Sequence, residues 1–454
     1  MIGKWFHNFK LLVPAIAAAA FLLCLGAMGP EALLAAPKKG GAVKSAKNSG
    51  SQSSGQNKSD PLPWPQNLLA LLGDGAVLVV DHHAPQGARE LYAHNAEKFY
   101  VPASILKIVT AGAALEFLGP EYRFKTDFLL TKNHDLWVVG YGDPYMVSEE
   151  LARAIKALQE RGLKQVRNIY IDASYFERGL ILDGNSQTRS PYDAYNGAFS
   201  VNFNTVSFKK NKKGAVSRAN DRIPLTPFAQ ALAAKTKGSG SFSLNISESP
   251  QAAEEHAGQL LKAQLEEAGV PVSGQIFAGH TAPERRRVFY RHVSSRPLEE
   301  VLRDLLKYSN NFMTNQIFLA MGAERFGAPA TLEKAQMVMS EYFTIKALPP
   351  IVMGDGSGLS RQTTVTARQM AEVLKEMEPE RFLFTSKDNG QVYFKTGTMS
   401  DIKTLAGYLE RPGEPGRPLS FVILLNGAEY RNDARDKILD ILKAEFISPP
   451  SAGE

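Results

Sequence analysis

From Pro61 onward the chain shows regular apolar patterning. Residues 66–72 (QNLLALL) predict a short helix, 76–80 (AVLVV) a strand, and 90–94 a second strand after a Pro/Gly turn, a hairpin that implies an antiparallel sheet. Pro102-Ala103-Ser104 opens a helical stretch in which Ile105, Ile108, Val109, Ala111, Ala114 and Leu115 are interrupted only by the charge of Lys107, so this helix is expected to be central and buried. The texture then changes. Residues 123–292 hold short strand patterns (136–139, 166–171), helices (148–161, 252–268) and loops rich in Gly, Asn and Tyr (190–204), and read as a separate lobe. Beyond them, helices are predicted at 298–307, 311–321, from about 366 and at 433–446, with strands at 391–394, 405–409 and 419–426. Helices between an N-terminal hairpin and C-terminal strands predict one antiparallel sheet closed by both ends of the chain, with helices packed on it.

The first sixty residues follow a different rule. Residues 1–10 are short and basic, and no charge occurs from Leu11 to Pro30, the layout of a secretory signal peptide or a membrane anchor spanning 1–36. Residues 37–60 (PKKGGAVKSAKNSGSQSSGQNKSD) lack apolar periodicity and read as a disordered Lys/Gly/Ser linker. This changes the meaning of the net charge. Residues 1–60 hold seven lysines against Glu31 and Asp60, so five of the net +6 lie there and the body is close to neutral, which excludes a nucleic-acid-binding surface as the main reading. The one cysteine, Cys24, lies in the apolar run, so the body needs no disulfides. The protein is expected to be exported, periplasmic or otherwise extracytoplasmic, with membrane contact confined to 1–36.

The candidate chemistry narrows by elimination. The eight histidines include no pair at helical ligand spacing, and no glycine loop leads into Lys-Ser/Thr, so neither a metal nor a nucleotide cofactor is expected. A serine three residues before a lysine on a helix places hydroxyl and amine on one face, within reach for a neutral amine to take the hydroxyl proton. Of Ser104/Lys107, Ser207/Lys210 and Ser400/Lys403, only the first opens an apolar helix; Ser207 is read as lying in a loop and Ser400 in a turn. Burial would strip Lys107 of its proton, and a second lysine nearby would strengthen that effect. Lys395, in the strand Val392-Tyr393-Phe394-Lys395-Thr396-Gly397-Thr398, is the natural second charge and can bind a carboxylate, while Gly397 allows close backbone approach. Strict alternation places Thr396 and Thr398 on the face opposite Lys395. Ser-x-Asn occurs at Ser200, Ser243 and Ser309, and only Ser309-Asn310-Asn311 leads into an apolar-faced helix. The order Ser-x-x-Lys, Ser-x-Asn, Lys-Thr-Gly signals an active-site serine acyltransferase.

On these motifs, and on GYGDP (140–144), IYIDASYF (169–176), PYDAYNGAFSVNFN (191–204), GDGSGLSR (354–361) and FKTGTMSDIKTLAGYL (394–409), the chain from 61 to 447 resembles the low-molecular-weight class C penicillin-binding proteins, D-alanyl-D-alanine carboxypeptidases/endopeptidases with an extra lobe between the first two motifs. The resemblance implies an α/β fold of α+β type, the transpeptidase fold shared with serine β-lactamases: an antiparallel sheet with helices on both faces, built from 61–124 and 293–448, with an inserted α+β domain at 125–292 and a tail at 449–454. It implies that Ser104 is the nucleophile, Lys107 its general base and Ser309 the proton relay. Asn311 would hold the substrate amide, and Lys395, Thr396, Gly397 and Thr398 would bind the terminal carboxylate, with the N–H groups of Ser104 and Thr398 as oxyanion hole. Asp172 and Arg361 would read the ammonium and carboxylate of a diaminopimelate side chain, or else form structural contacts. The partners implied are peptidoglycan peptides ending in D-Ala-D-Ala, with β-lactams as covalent inhibitors; no cofactor is implied. One departure stands out: the interval 377–393 is shorter than the family's usual glycine-rich stretch, so a loop near the cleft is lost or reshaped. Two other readings remain, a peptidoglycan-binding module of weak catalysis and a serine β-lactamase. The complete set of catalytic side chains argues against the first; the long insert and the absence of a Glu-x-x-Leu-Asn element argue against the second.

Overall fold

The computed structural model describes residues 65–447, apart from 247–248, 284–286, 415, 428 and 431. The leader, linker and tail read from the sequence lie outside the described residues. The chain opens with helix α1 (Gln66–Leu72), strands β1 (Ala76–Asp81) and β2 (Arg89–His94), and a 3-10 turn at Ala103–Leu106 that runs into α2 (Lys107–Leu118). Then come β3 (Lys125–Leu130), β4 (Leu136–Gly140), α3 (Ser148–Glu160), β5 (Ile169–Asp172), β6 (Thr205–Lys210), β7 (Val216–Arg218), α4 (Pro227–Lys235), β8 (Gly240–Asn245), α5 (Pro250–Glu267), β9 (Ile276–Ala278) and β10 (Tyr290–Val293). The last part holds α6 (Leu298–Tyr308), α7 (Asn311–Phe326), α8 (Leu332–Ile345), α9 (Ala367–Met377), β11 (Thr385–Lys387), β12 (Val392–Met399), β13 (Ile402–Leu409), β14 (Leu419–Asn426) and α10 (Asn432–Phe446).

Both ends of the chain close one sheet, as the pattern predicts. Its order is β11-β12-β13-β14-β1-β2, every pairing antiparallel, with β1 and β14 in register at Val79 and Phe421. All eight residues of β13 are buried, as are seven of the eight in β14, because helices cover both faces. Val77, Val79, Leu405, Phe421 and Ile423 turn to one side with Leu68, Ile438 and Leu442 of α1 and α10. Ala76, Leu78, Ala406, Val422 and Leu424 turn to the other, where α2, α6, α7, α8 and α9 form the largest apolar cluster. Helix α2 lies at the centre of that cluster and is buried from Lys107 to Ala114, so its apolar character is explained by position.

Between α2 and α6 the chain builds a mixed five-stranded sheet, β10-β3-β4-β5-β9, antiparallel at β10-β3-β4 and parallel at β4-β5-β9. It has a core of its own, with Phe128, Val138, Ile169 and Ile171 packed on Leu151, Ile155 and Leu158 of α3 and Leu260, Leu261 and Leu265 of α5. A smaller sheet, β7-β6-β8, packs Val206 and Phe208 on Leu232 and Ala233 of α4.

Several elements differ from the sequence reading, and β3, α4 and β8 have no counterpart in it. Ser207 lies in strand β6, where Lys209 and Lys210 are tolerated because the small sheet is exposed on one side. Helix α8 was not among the expected elements, although Thr331 caps it by accepting from the Lys334 N–H and its buried residues, Ala335, Val338, Met339, Tyr342 and Phe343, recur at helical spacing. In the shortened interval 377–393, strand β11 pairs with Val392, Tyr393 and Phe394 and no further. The edge of β12 beyond Phe394 therefore has no strand beside it among the described residues, the kind of edge to which an extended peptide can add.

Candidate active site

Ser104 stands in the tight turn that precedes α2, with Ala103 before it at φ 49°, in the left-handed region. Three contacts hold this turn. Asn426 on β14 accepts from the Val101 N–H at 2.8 Å, Thr404 on β13 donates its hydroxyl to the Pro102 carbonyl at 2.7 Å, and Gly397 on β12 lies so close that a Cβ there would meet Ser104 N at 3.0 Å. The nucleophile candidate is thus fixed against the open-edged strand.

One turn on, Lys107 is fully buried and its Nζ lies 2.9 Å from Ser104 Oγ, 2.7 Å from Asn311 Oδ1 and 2.7 Å from the Ser357 carbonyl oxygen. None of these partners is an acid. Burial, followed by the nearby charge of Lys395, pushes its proton affinity well below that of an ordinary lysine, opposed in part by Asp355. A neutral amine has two N–H donors and one lone pair. In that form the Asn311 and Ser357 oxygens, which accept only, would take the two donors and leave the lone pair for the Ser104 hydroxyl.

The Ser357 carbonyl is held by a turn built around Asp355, which is fully buried. Its carboxylate accepts from the backbone N–H groups of Ser357, Gly358, Leu359 and Ser360 at 3.0–3.2 Å and from the Ser357 hydroxyl at 2.5 Å. Gly358 is required there: its φ is 84°, and a Cβ would come within 2.0 Å of the Ala103 carbonyl oxygen. The Asp355 turn therefore touches the Ser104 turn directly.

Ser309 ends α6 in the left-handed conformation, φ 54° and ψ 40°, and Asn310 caps α7 by accepting from the Met313 N–H. This bend sends Ser309 and Asn311 to neighbouring partners. Ser309 Oγ accepts from Lys395 Nζ at 3.0 Å, while Asn311 accepts from Lys107. Lys395 also donates to the Thr396 carbonyl at 2.8 Å, and burial, with a smaller contribution from the charge of Arg435, lowers its pKa to about 8. The segment between β5 and β6 braces the same region: Asn196 Nδ2 donates to the Phe312 carbonyl and to Gln316 Oε1, and Gln316 donates to the Gly197 carbonyl.

The structure thus brings Ser104, Lys107 and Asn311 into one hydrogen-bonded group and Ser309 with Lys395 into an adjoining one. Strand alternation holds through β12. Phe394 joins the core on the α1 and α10 side, and Thr398 turns the same way, its Oγ1 3.4 Å from Arg435 Nη1. Arg361 and Asp172 stand outside the two groups. Arg361 pairs with Asp401 at the β12–β13 turn (2.6 and 3.1 Å). Asp172 is buried and accepts from the Ser174 N–H and hydroxyl and from the Ala282 N–H. Sequence reasoning missed Asp355, the Ser357 carbonyl and Arg435. For the first two a signal exists, since an acid followed by small residues and glycine favours such a turn; Arg435 has none. Among the described residues there is no cluster of three or more His, Cys, Asp or Glu side chains placed to hold a metal ion.

A family model described as D-Ala-D-Ala carboxypeptidase 3 (S13) matches residues 73–384 and 377–445. The D-alanyl-D-alanine carboxypeptidase of Actinomadura sp. strain R39 is 27% identical over 447 residues, covering 80% of each chain. The D-alanyl-D-alanine carboxypeptidase DacB of Haemophilus influenzae is 22% identical over 397 residues, covering 74% of this chain and 82% of the relative. The crystal structure of penicillin binding protein 4 (dacB) from H. influenzae superposes with a TM-score of 0.66 at 20% identity, over 83% of this chain and 98% of that one. The fold is that of the penicillin-binding proteins. Within that class, the chain belongs to the D-Ala-D-Ala carboxypeptidase 3 (S13) family.

Proposed function

We propose that this serine-type D-Ala-D-Ala carboxypeptidase removes the terminal D-alanine from peptidoglycan stem peptides through an acyl-enzyme on Ser104. The observation that carries the proposal is the environment of Lys107: a buried amine without an acidic partner, 2.9 Å from a serine hydroxyl, with two acceptors placed for its two N–H groups. The neutral Lys107 amine takes the Ser104 proton as Oγ attacks the carbonyl of the penultimate D-alanine. Backbone N–H groups of Ser104 and Thr398 receive the developing oxyanion, where each such donor is worth about 3–4 kcal/mol. Ser309, whose hydroxyl accepts from Lys395, passes a proton to the amine of the departing D-alanine. Asn311 gives its oxygen to Lys107 and keeps its amide N–H groups for the substrate carbonyl. Lys395, Thr396 and Thr398 bind the terminal carboxylate while the peptide lies along the open edge of β12. Water then hydrolyses the ester with Lys107 again as base, and β-lactams acylate the same serine.

The site of action follows from the substrate. Peptidoglycan lies outside the cytoplasmic membrane, and the basic start and uncharged apolar run of residues 1–36 support export of the chain to that compartment. The proposal is tested by incubating the purified protein with a pentapeptide ending in D-Ala-D-Ala and measuring free D-alanine. Release that is abolished by Ser104→Ala is expected; release unaffected by that substitution contradicts the assignment.

A further inference from the structure

The carboxylate site around Lys395 has a second cation beside it. Arg435, near the start of α10, approaches Thr398 from the face of β12 opposite Lys395, with Nη1 3.4 Å from Thr398 Oγ1 and a side chain only 11% exposed. Its carboxylate partner is the adjacent Asp436, whose Oδ1 lies 3.0 Å from Nε and 2.9 Å from Nη2; Asp436 is itself 59% exposed. Nη1 is thus directed at Thr398. Lys395 for its part donates to the Ser309 hydroxyl and the Thr396 carbonyl, both neutral. Arg435 is thus a second cation on this strand, at the exposed Thr398 three positions on from Lys395 and on the other face, and its charge helps keep the Lys395 affinity for its proton low. Holding like charges together in a partly buried place is costly, and an anion between them removes the cost.

We infer that Arg435 is a second binding cation for the substrate carboxylate, reaching it from the α10 face of β12 beside Thr398 Oγ1 while Lys395 reaches it from the opposite face. The inference rests on the proposed function and assigns a specificity-determining role to a helix that otherwise serves the apolar core through Ile438 and Leu442. A guanidinium supplies a planar pair of donors that an ammonium lacks, so Lys395 and Arg435 together fix the orientation of the carboxylate, and with it the position of the scissile carbonyl relative to Ser104.

The test compares acylation of Ser104 by benzylpenicillin, which carries a free carboxylate, with acylation by its methyl ester, in the full-length protein and in Arg435→Gln and Arg435→Lys. Loss of a charge-assisted hydrogen bond is expected to lower the rate constant for the acid by about tenfold to a hundredfold. The rate constant for the ester is expected to change less than about twofold, with Arg435→Lys between wild type and Arg435→Gln. Equal losses for acid and ester would show that Arg435 only ties α10 to β12, and an unchanged acid-to-ester ratio in both variants would likewise overturn the inference. Wild-type protein acylated by neither compound would overturn the proposed function itself, an outcome distinct from wild-type acylation with an unaltered ratio. Should Arg435→Gln fail to fold, the acid-to-ester ratio of Arg435→Lys decides alone.

Discussion

Gly397 has no room for a side chain because Ser104 stands behind it: a Cβ on the glycine would lie 3.0 Å from the Ser104 nitrogen, 2.8 Å from the Pro102 carbonyl oxygen and 2.1 Å from Thr404 Oγ1. The glycine of the Lys-Thr-Gly strand therefore sets how closely the carboxylate-binding strand approaches the nucleophile. Gly397→Ala is expected to push β12 away from the Ser104 turn, at a cost of about 1–3 kcal/mol in stability, and to slow acylation by more than that loss of folded protein accounts for. Denaturant unfolding together with penicillin labelling checks both parts; unchanged labelling would show that the contact is not needed for the chemistry.

Lys107 is the proposed base, and its replacement separates chemistry from packing. Lys107→Met keeps the volume of a long side chain in a fully buried place and removes the amine, so the fold is expected to persist while acylation of Ser104 falls by about a hundredfold to ten-thousandfold. Stopped-flow labelling, with circular dichroism as the control, measures this.

The two lysines make opposite demands on pH. Lys107 must be neutral, so kcat/KM rises with pH as its lowered proton affinity is exceeded. Lys395 must be charged, and its pKa near 8 places the falling limb of the profile there in the free enzyme. Lys395→Arg is expected to move that limb to higher pH while leaving the rising limb in place. The same group contributes a stability trend of known sign. The unfolded chain keeps its proton up to 10.5 and the folded one only to about 8, so the unfolded state binds more protons in that window and stability rises with pH through it. In Lys395→Met this part of the trend is expected to vanish from unfolding curves taken across the window.

Asp355 holds one turn with five hydrogen bonds and, through it, the Ser357 carbonyl that receives a Lys107 N–H. An asparagine has a single acceptor oxygen and two donors that face other donors. Asp355→Asn is expected to cost about 2–4 kcal/mol and, by removing the carboxylate charge that supports the Lys107 proton, to lower the proton affinity of Lys107 further, moving the rising limb of the pH profile downward. An unchanged profile in a folded variant would argue that the turn does not tune the base.

Arg361 offers a test of substrate reading. Its pair with Asp401, whose carboxyl it holds at about 2, is too exposed to contribute more than about 1 kcal/mol to stability. Arg361→Ala should therefore leave the unfolding midpoint nearly unchanged. If Arg361 reads a side-chain carboxylate, the substitution lowers kcat/KM for a diaminopimelate-containing peptide and not for a peptide lacking that carboxylate; equal values for both peptides in the variant and the wild type would assign it to the surface pair alone.

Much of this was legible in the sequence because short-range rules govern it. The spacing of Ser104 and Lys107, the apolar run after them and the Ser-x-Asn and Lys-Thr-Gly triplets name the residues that the fold assembles. Alternation along β12 correctly turned Thr398 away from Lys395. What stayed hidden depends on contacts between distant segments. Ser357 acts through its carbonyl, a group common to every residue, and its direction is set by Asp355 and by the absence of a side chain at Gly358. Arg435 lies 37 positions beyond Thr398 on a helix whose pattern announces only an apolar face. Strand β6 was obscured because a small, half-exposed sheet tolerates the lysines that mark a loop elsewhere.

The central claim is a covalent bond at Ser104, and peptide mapping by mass spectrometry after brief exposure of the full-length protein to benzylpenicillin tests it most directly. The account predicts one penicilloyl group on the peptide that contains Ser104, and none in Ser104→Ala. An adduct on another residue, or an unmodified Ser104 under conditions where the protein is folded, would contradict it.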